Sequence, residues 1–355
     1  MSVKKKVVVA MSGGVDSSVA AALLKEQGYE VIGLTMHHWD VSAQEDLAAD
    51  SCSNSAVTEA RKVAEQLNIP FHSVNFEADF RQQIITPFCQ EYLSGRTPNP
   101  CVVCNKKIKF GLLLEKALQL GADYMATGHY VSLAQADNNI FIRRGRDHEK
   151  DQSYFLFPLS QQQLSQCLFP LGDLNKQQVR EQAKRFNLQV AEKAESQDIC
   201  FIPDGDYIGF LERERGSGKL SGEIVHVSGQ VLGQHQGIYR YTIGQRKGLG
   251  IGWAEPLYVI GIDAGKKKVI VGEKQHLSHT EMVVEQCCWS IAEPTSSFST
   301  LCRIRYRHTE VAATVEPLSD NQVKVIFASP QQGITPGQAA VFYQDDLVIG
   351  GGWIQ

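Results

Sequence analysis

No stretch of this 355-residue chain approaches the roughly eighteen uninterrupted apolar residues that a membrane-crossing helix needs. A secretory leader is not expected either. Behind the basic start Met1–Lys6, the apolar run covers only Val7 to Met11 before Ser12-Gly13-Gly14 interrupts it. Excess charge is also missing: 35 Lys and Arg against 39 Asp and Glu leave a net −4. The total therefore announces neither a nucleic acid nor an anionic membrane as partner, and any basic surface must be local. Nine cysteines at irregular spacings in so long a chain are not the framework of a small secreted scaffold. Internal repeats and low-complexity tracts are lacking as well. Together these absences imply a soluble cytoplasmic protein with no membrane partner, whose thiols are reactive, metal-binding or buried.

What is there is ample core material. Hydrophobic residues make up 43% and charged residues 21% of the chain, near the averages for globular proteins, and the length predicts two or three domains. Up to residue 204 the pattern alternates. Strands are expected at Lys6–Ala10, Glu30–Met36, Ile69–Phe76 and Tyr124–Thr127, with helices at Ser17–Gln27, Ala56–Leu67, Phe80–Leu93 and Ile108–Leu120. Such alternation implies an α/β fold whose parallel sheet has right-handed crossovers and gathers ligands beyond the carboxyl ends of its strands. Asn175 and Gln178 predict a capping box for a further helix over Lys176–Phe186. Beyond Asp204 the text turns glycine-dense, with short runs such as Glu223–Val227 and Lys268–Gly272, which predicts a small β-rich central domain over 205–279. Strand-like segments at Met282–Trp289, Leu301–Tyr306, Val311–Glu316, Val323–Ala328 and Ala339–Tyr343 predict a C-terminal β-barrel over 280–355. Alternation along the second of these places Arg303, Arg305 and Arg307 on one face, a row suited to phosphate oxygens or merely to solvent.

Between the first strand and the first helix stands Ser12-Gly13-Gly14-Val15-Asp16-Ser17-Ser18. Two glycines let backbone N–H groups turn inward, and the free N–H groups of a helix start add partial positive charge, so the segment reads as a phosphate cradle. It is not a Walker loop, for the spacing is wrong and no Lys follows, nor is it the dinucleotide fingerprint. Read as a bland turn, the same residues would only cap a helix. Further on, Gly128 in Ala126-Thr127-Gly128-His129-Tyr130 allows close approach of a nucleotide to a strand end.

Cys101-Val102-Val103-Cys104 follows two prolines and precedes Lys106-Lys107, a setting that favours thiolate if the thiols lie at a helix N-terminus. Cys200 is a third candidate. The remaining thiols, Cys52, Cys89, Cys167, Cys287, Cys288 and Cys302, read mostly as buried structural residues. A second Cys-x-x-Cys pair is missing, which argues against a zinc ribbon. Three thiols beside an activated nucleotide suggest sulfur transfer.

The loop resembles the Ser-Gly-Gly-x-Asp-Ser signature of the N-type ATP pyrophosphatases, which adenylate a substrate oxygen and release pyrophosphate. Six segments in one order are similar to the tRNA-specific 2-thiouridylase family: Ser12–Ser18, Thr97–Pro100, Cys104–Phe110, Ala126–Tyr130, Lys150–Phe155 and Ser196–Ile202. The likeness runs from the first strand to Gly350–Trp353 and makes 1–204 an ATP pyrophosphatase domain. It implies ATP-dependent 2-thiolation of the wobble uridine in a tRNA anticodon stem-loop. ATP would be bound by Ala10, Met11, Ser12, Gly13, Gly14, Val15, Asp16, Ser17, Met36 and Gly128, with Mg²⁺ on the pyrophosphate helped by Asp16. Cys200 would carry a persulfide and Cys104 would be its partner nucleophile, leaving a Cys104–Cys200 disulfide as a turnover state. Asn99, Pro100 and Cys101 would meet the target base. His129, Lys150, Asp151, Gln152, Arg305, Tyr306 and Gln338 would meet the tRNA, with the β-barrel as a tRNA-contacting domain.

The resemblance implies Asp in many members of the family where this chain has Cys101, and that departure opens an alternative. Cys101, Cys104 and Cys200 could hold three irons of a [4Fe–4S] cluster whose fourth iron binds hydrosulfide. A sulfur donor such as a cysteine desulfurase or a relay protein is an expected partner, and a monomer is the expected state. Two rivals remain: a related ligase with an amine nucleophile, which has no use for the three thiols, and a non-catalytic tRNA- or nucleotide-binding module.

Overall fold

The computed structural model describes residues 4–38, 52–136, 139–193, 199–216 and 220–355. Ser196–Asp198 of the last quoted motif, and Ser217–Lys219, lie outside them, as does the side chain of Cys52. The chain divides into two compact units. One comprises Met1–Ile84, Cys101–Phe201 and Asp346–Ile349; the other comprises Ile85–Pro100, Ile202–Asp345 and Gly350–Gln355.

In the first unit the strands are β1 (Lys6–Ala10), β2 (Glu30–His37), β3 (Phe71–Asn75), β4 (Tyr124–Ala126), β5 (Val131–Ala136), β6 (Asn139–Arg144) and β7 (Cys167–Leu168). Five of them form a sheet in the order β3-β2-β1-β4-β7 with every pairing parallel. Val7, Val8 and Val9 of β1 are fully buried, as its unbroken β-branched run predicts for a strand covered on both faces. The helix Val15–Glu26 turns Val19, Ala20 and Leu24 onto that core. The chain runs outward from β1 to β2 to β3, then returns to β4 on the other side of β1. The crevice at the carboxyl ends of β1 and β4 is therefore the topological switch point, where open α/β sheets bind ligands.

The capping box at Asn175 is present, and its helix covers Lys176–Arg185. The helix expected over Phe80–Leu93 is interrupted: a π-turn occupies Arg81–Ile85 before the helix Thr86–Leu93. Pro87 explains this, because without an N–H it cannot complete an α-helical bond and a wider turn absorbs the mismatch.

The second unit holds two β assemblies. Strands β8 (Gly222–His226), β9 (Val231–His235), β10 (Tyr258–Asp263) and β11 (Lys268–Gly272) form a sheet in the order β10-β11-β8-β9. Its core includes Ile224, Val259, Val269 and Val271. Then follow β12 (Ser278–Trp289), β13 (Phe298–Arg303), β14 (Val311–Pro317), β15 (Val323–Gln332), β16 (Ala339–Gln344) and β17 (Leu347–Ile354). They run β12-β15-β14-β13-β16-β17, and β12 also pairs with the last residues of β17, which closes a barrel. The fold is thus a parallel-sheet α/β domain, a small β-rich central domain and a C-terminal β-barrel.

The expected arginine row is corrected here. β13 stops at Arg303, and the chain bends through residues 304–307. The Arg303 guanidinium folds back onto the His308 carbonyl at 3.0 Å and lies over the Tyr306 ring, while Arg305 donates to the Gln332 carbonyl at 3.2 Å. A turn tied in this way cannot alternate its side chains as a strand does.

Candidate functional site: a phosphate loop and three thiols

Ala10 ends β1, Met11 is buried, and the loop Ser12–Gly14 leads into the helix Val15–Glu26. Gly13 has φ +70°, and a Cβ there would lie 2.6 Å from the Ala56 carbonyl oxygen, so both conformation and space demand glycine. Ser12 and Ser17 knit the loop: the Ser12 N–H donates to Ser17 Oγ at 3.2 Å, and Ser17 Oγ and Ser18 Oγ both donate to the Gly14 carbonyl. Gly14 is the N-cap and no side chain caps the helix, which leaves its first N–H groups to a ligand. Asp16 sits in the first turn and is not the cap.

Gly128 follows β4 and presses against this turn. A Cβ on it would lie 2.7 Å from the Ser17 nitrogen and 2.8 Å from the Asp16 carbonyl carbon. Met36 is the penultimate residue of β2, near the carboxyl end of that strand. Tyr130, fully buried, donates its hydroxyl to Asp16 Oδ1 at 2.8 Å. Gln152 fixes Tyr130 from both sides: its Oε1 accepts from the Tyr130 N–H at 3.1 Å, and its own N–H donates to the Tyr130 carbonyl at 3.2 Å.

Two lysines that sequence reasoning missed also reach the loop. Lys176 bonds both oxygens of Asp16, at 2.8 and 2.9 Å. Lys193 bonds the Gly13 carbonyl at 3.3 Å and pairs with Glu59, its segment held by Arg180 on the carbonyls of Ala191 and Lys193. The available signal was weak: Lys176 at the first position of its helix opposes the helix dipole.

Of the expected tRNA-contacting residues, Asp151 is buried and takes the N–H groups of Gly145 and Ser153 and the Ser153 hydroxyl. Gln338 donates to the carbonyls of Thr97 and Pro98 at 2.9 and 3.2 Å, which fixes the backbone before Asn99, itself buried, and Pro100. His129 bonds the Thr127 hydroxyl through Nδ1 at 2.7 Å and lies against Phe110 and Phe169. Burial first, then the charge of Lys109, holds its imidazole well below the ordinary histidine range, so it is neutral at pH 7.

Cys101 and Cys104 lie inside the helix Pro100–Cys104, which continues as a π-helix over Asn105–Leu113. Cys101, the second residue of that helix, lies in its first turn as a thiol at a helix N-terminus would, but the helix starts at Pro100 rather than at Lys106, so Cys104 sits a turn further in. Lys106 and Lys107 are exposed, and the cation that acts on the thiols is Lys109. Cys104 is buried, while Cys101 and Cys200 keep exposed surface, and all three are free thiols. Desolvation by the surrounding protein pushes each thiol up, Cys104 to about 11, and Lys109 pulls each one back. Cys104 and Cys101 also raise Cys200 by like-charge repulsion. The three thiols, almost a hundred positions apart at the extremes, thus share one electrostatic neighbourhood. Phe201, next to Cys200, is buried with its ring 5.7 Å from Phe80, which anchors that neighbourhood.

A thiol with a raised pKa reacts slowly at neutral pH. Alkylation of Cys104 by iodoacetamide is expected to accelerate about tenfold per pH unit between pH 7 and 10. Lys109→Met should move the rise to higher pH, because a cation that favours thiolate is lost. Peptide-resolved mass spectrometry follows both; a plateau near pH 8 would contradict the assignment.

Among the described residues no group of three or more His, Cys, Asp or Glu forms a ready site for a single metal ion, and no helix is long and apolar enough to cross a membrane. Asp16, about a third exposed, offers a hard carboxylate of the kind that binds Mg²⁺ together with phosphate oxygens. The three thiols are soft donors suited to a cluster.

A phosphate loop at the switch point of a parallel sheet defines the class. Residues 5–204 match a profile described as the tRNA methyl transferase HUP domain, which places the chain among the HUP α/β proteins. Residues 208–273 match the PRC-barrel domain of that group, and 279–354 match the aminomethyltransferase beta-barrel domain. The chain belongs to the tRNA-specific 2-thiouridylase family. A relative of that description from Syntrophotalea carbinolica is 55% identical over 350 residues, 99% of this chain and 98% of the relative. Another from Geobacter metallireducens is 54% identical over 356 residues, 99% and 97% of the two chains. One from Clostridium acetobutylicum is 46% identical, with 99% of both chains covered.

Proposed function

We propose that this protein is a tRNA-uridine 2-sulfurtransferase that uses ATP to replace the C2 oxygen of the wobble uridine with sulfur. The observation that carries the reading is the presence, in one compact unit, of the phosphate loop and of three thiols gathered from distant sequence positions. A uracil C2 oxygen is a poor leaving group and needs activation. Ala10–Ser17, Met36 and Gly128 hold ATP, and the uridine oxygen attacks the α-phosphorus with release of pyrophosphate. Loop N–H groups meet the charge that develops there. Mg²⁺ bound by Asp16 and phosphate oxygens would neutralise the leaving group.

Cys200 then presents the outer sulfur of a persulfide to C2, and AMP departs with the oxygen. Cys104 as thiolate attacks Sγ of Cys200 and breaks the S–S bond. The outer sulfur stays on the base as the thiocarbonyl, and a Cys104–Cys200 disulfide remains for an external dithiol to reduce. A second reading is favoured by the third thiol. Cys101, Cys104 and Cys200 would hold a [4Fe–4S] cluster, which would bind hydrosulfide and offer it as nucleophile in place of the persulfide and disulfide steps. Asn99, Pro100 and Cys101 face the base. His129, Lys150–Gln152, Arg305, Tyr306 and Gln338 contact or frame the anticodon loop, with domain limits at 204/205 and 279/280. A cytoplasmic monomer supplied by a cysteine desulfurase or relay protein fits this scheme.

The test is pyrophosphate release with and without substrate tRNA, coupled to mass spectrometry of the tRNA nucleosides. Release that requires the tRNA, together with a 2-thiouridine product, is expected; tRNA-independent release with an amide product would instead favour the ligase. Iron and acid-labile sulfide in anaerobically purified protein would select the cluster reading over the persulfide.

A further inference from the structure

Between Met11 and Ser18 the only charged side chain is Asp16, so the loop that would receive a triphosphate carries an anion and no cation. The fold supplies one from 160 positions away. Lys176 places Nζ at 2.8 and 2.9 Å from the two Asp16 oxygens and 5.7 Å from the Tyr130 ring centre. Its side chain is 12% exposed against 32% for Asp16, so the ammonium is the more enclosed partner and the carboxylate the more open one. A near-buried ammonium must be paired. This one also opens a helix, where the dipole disfavours a cation, and sequences accept such local conflicts mostly at functional sites. Its backbone is fixed, with the Lys176 N–H donating to Asp147 Oδ2 at 2.9 Å, while the four-carbon stem keeps rotational freedom.

We infer that Lys176 is a phosphate-binding residue for ATP, held by Asp16 until the nucleotide enters and then moving to the β- and γ-phosphate oxygens. The exchange keeps the charge balanced. Asp16 gives up the ammonium and would be left to help hold Mg²⁺, and the phosphates gain the cation that their loop lacks. The inference rests on the ATP reading above and extends it to a residue outside the loop.

Its test is direct binding, measured by calorimetry with a non-hydrolysable ATP analogue, AMP and pyrophosphate. Lys176→Met should weaken the triphosphate about 10- to 100-fold in the presence of Mg²⁺, the range expected for a charge-assisted hydrogen bond. AMP affinity should hold, and Lys176→Arg should restore most of the triphosphate affinity. Equal loss for triphosphate and AMP, or no loss, overturns the role of Lys176. A second arm uses pyrophosphate without metal. Asp16→Asn should tighten its binding because the lysine is released, and the gain should vanish in Asp16→Asn combined with Lys176→Met. The same gain in both backgrounds would mean simple relief of repulsion and would also overturn the proposal. Failure of the unmodified protein to bind any ATP analogue would instead bring down the ATP reading itself.

Discussion

Replacing Cys200 with serine is expected to abolish 2-thiouridine formation while pyrophosphate release continues near the unmodified rate. A hydroxyl cannot carry a terminal sulfur, so the loss should be about a thousandfold or more, as when a covalent nucleophile is removed elsewhere. In the proposed scheme adenylation draws on the loop at the end of β1 and on Gly128, and Cys200 enters only at the sulfur-transfer step. The two halves of the reaction should therefore come apart in one variant. Cys104→Ser completes the dissection: under the persulfide route it should stall with sulfur still bridged to Cys200, a species that mass spectrometry under non-reducing conditions would reveal. Full thiolation by Cys200→Ser would refute sulfur transfer through this residue by either route.

The second large effect is expected at Gly128. An added methyl group would meet the Ser17 nitrogen at 2.7 Å and the Asp16 carbonyl carbon at 2.8 Å, and both are main-chain atoms that cannot swing aside. Gly128→Ala must therefore push the first turn of the Val15–Glu26 helix away from the switch point. Displacements of this kind cost about a hundredfold when they misplace a reacting group, and overpacking of the fold costs about 1–3 kcal/mol. Pyrophosphate release should fall by that factor at saturating tRNA, with a lowered melting temperature. An alanine variant that turns over ATP normally would show that the strand end and the loop do not form one site.

Much of this was legible in the sequence because local and global signals agreed. The β-branched run of β1, the two loop glycines and the helix behind them announced the sheet and its phosphate site, and Asn175 with Gln178 fixed a helix start. Where periodicity misled, a neighbour decided the outcome. The arginine row failed because Arg303 returns to the His308 carbonyl and ends the strand. The β5–β6 hairpin and β17 escaped notice because one is short and polar at its tip and the other carries three consecutive glycines, and pairing partners overrode weak strand propensity. Thiol acidity could not be read from adjacent lysines, since desolvation, a property of the packed chain, outweighs the pull of Lys109 on all three thiols. Lys176 and Lys193 were invisible for a related reason: only the fold brings them to the loop.

The tie at Asp16 bears on the order in which the protein is made. A growing chain that has emerged only through β4 possesses the glycine bend but neither the ammonium of residue 176 nor the Arg180 clamp that steadies residue 193. During synthesis the amino-terminal segment thus carries at its bend a carboxylate whose ammonium partner is still to come, and the Asp16–Lys176 pair can close only after residue 176 has left the ribosome.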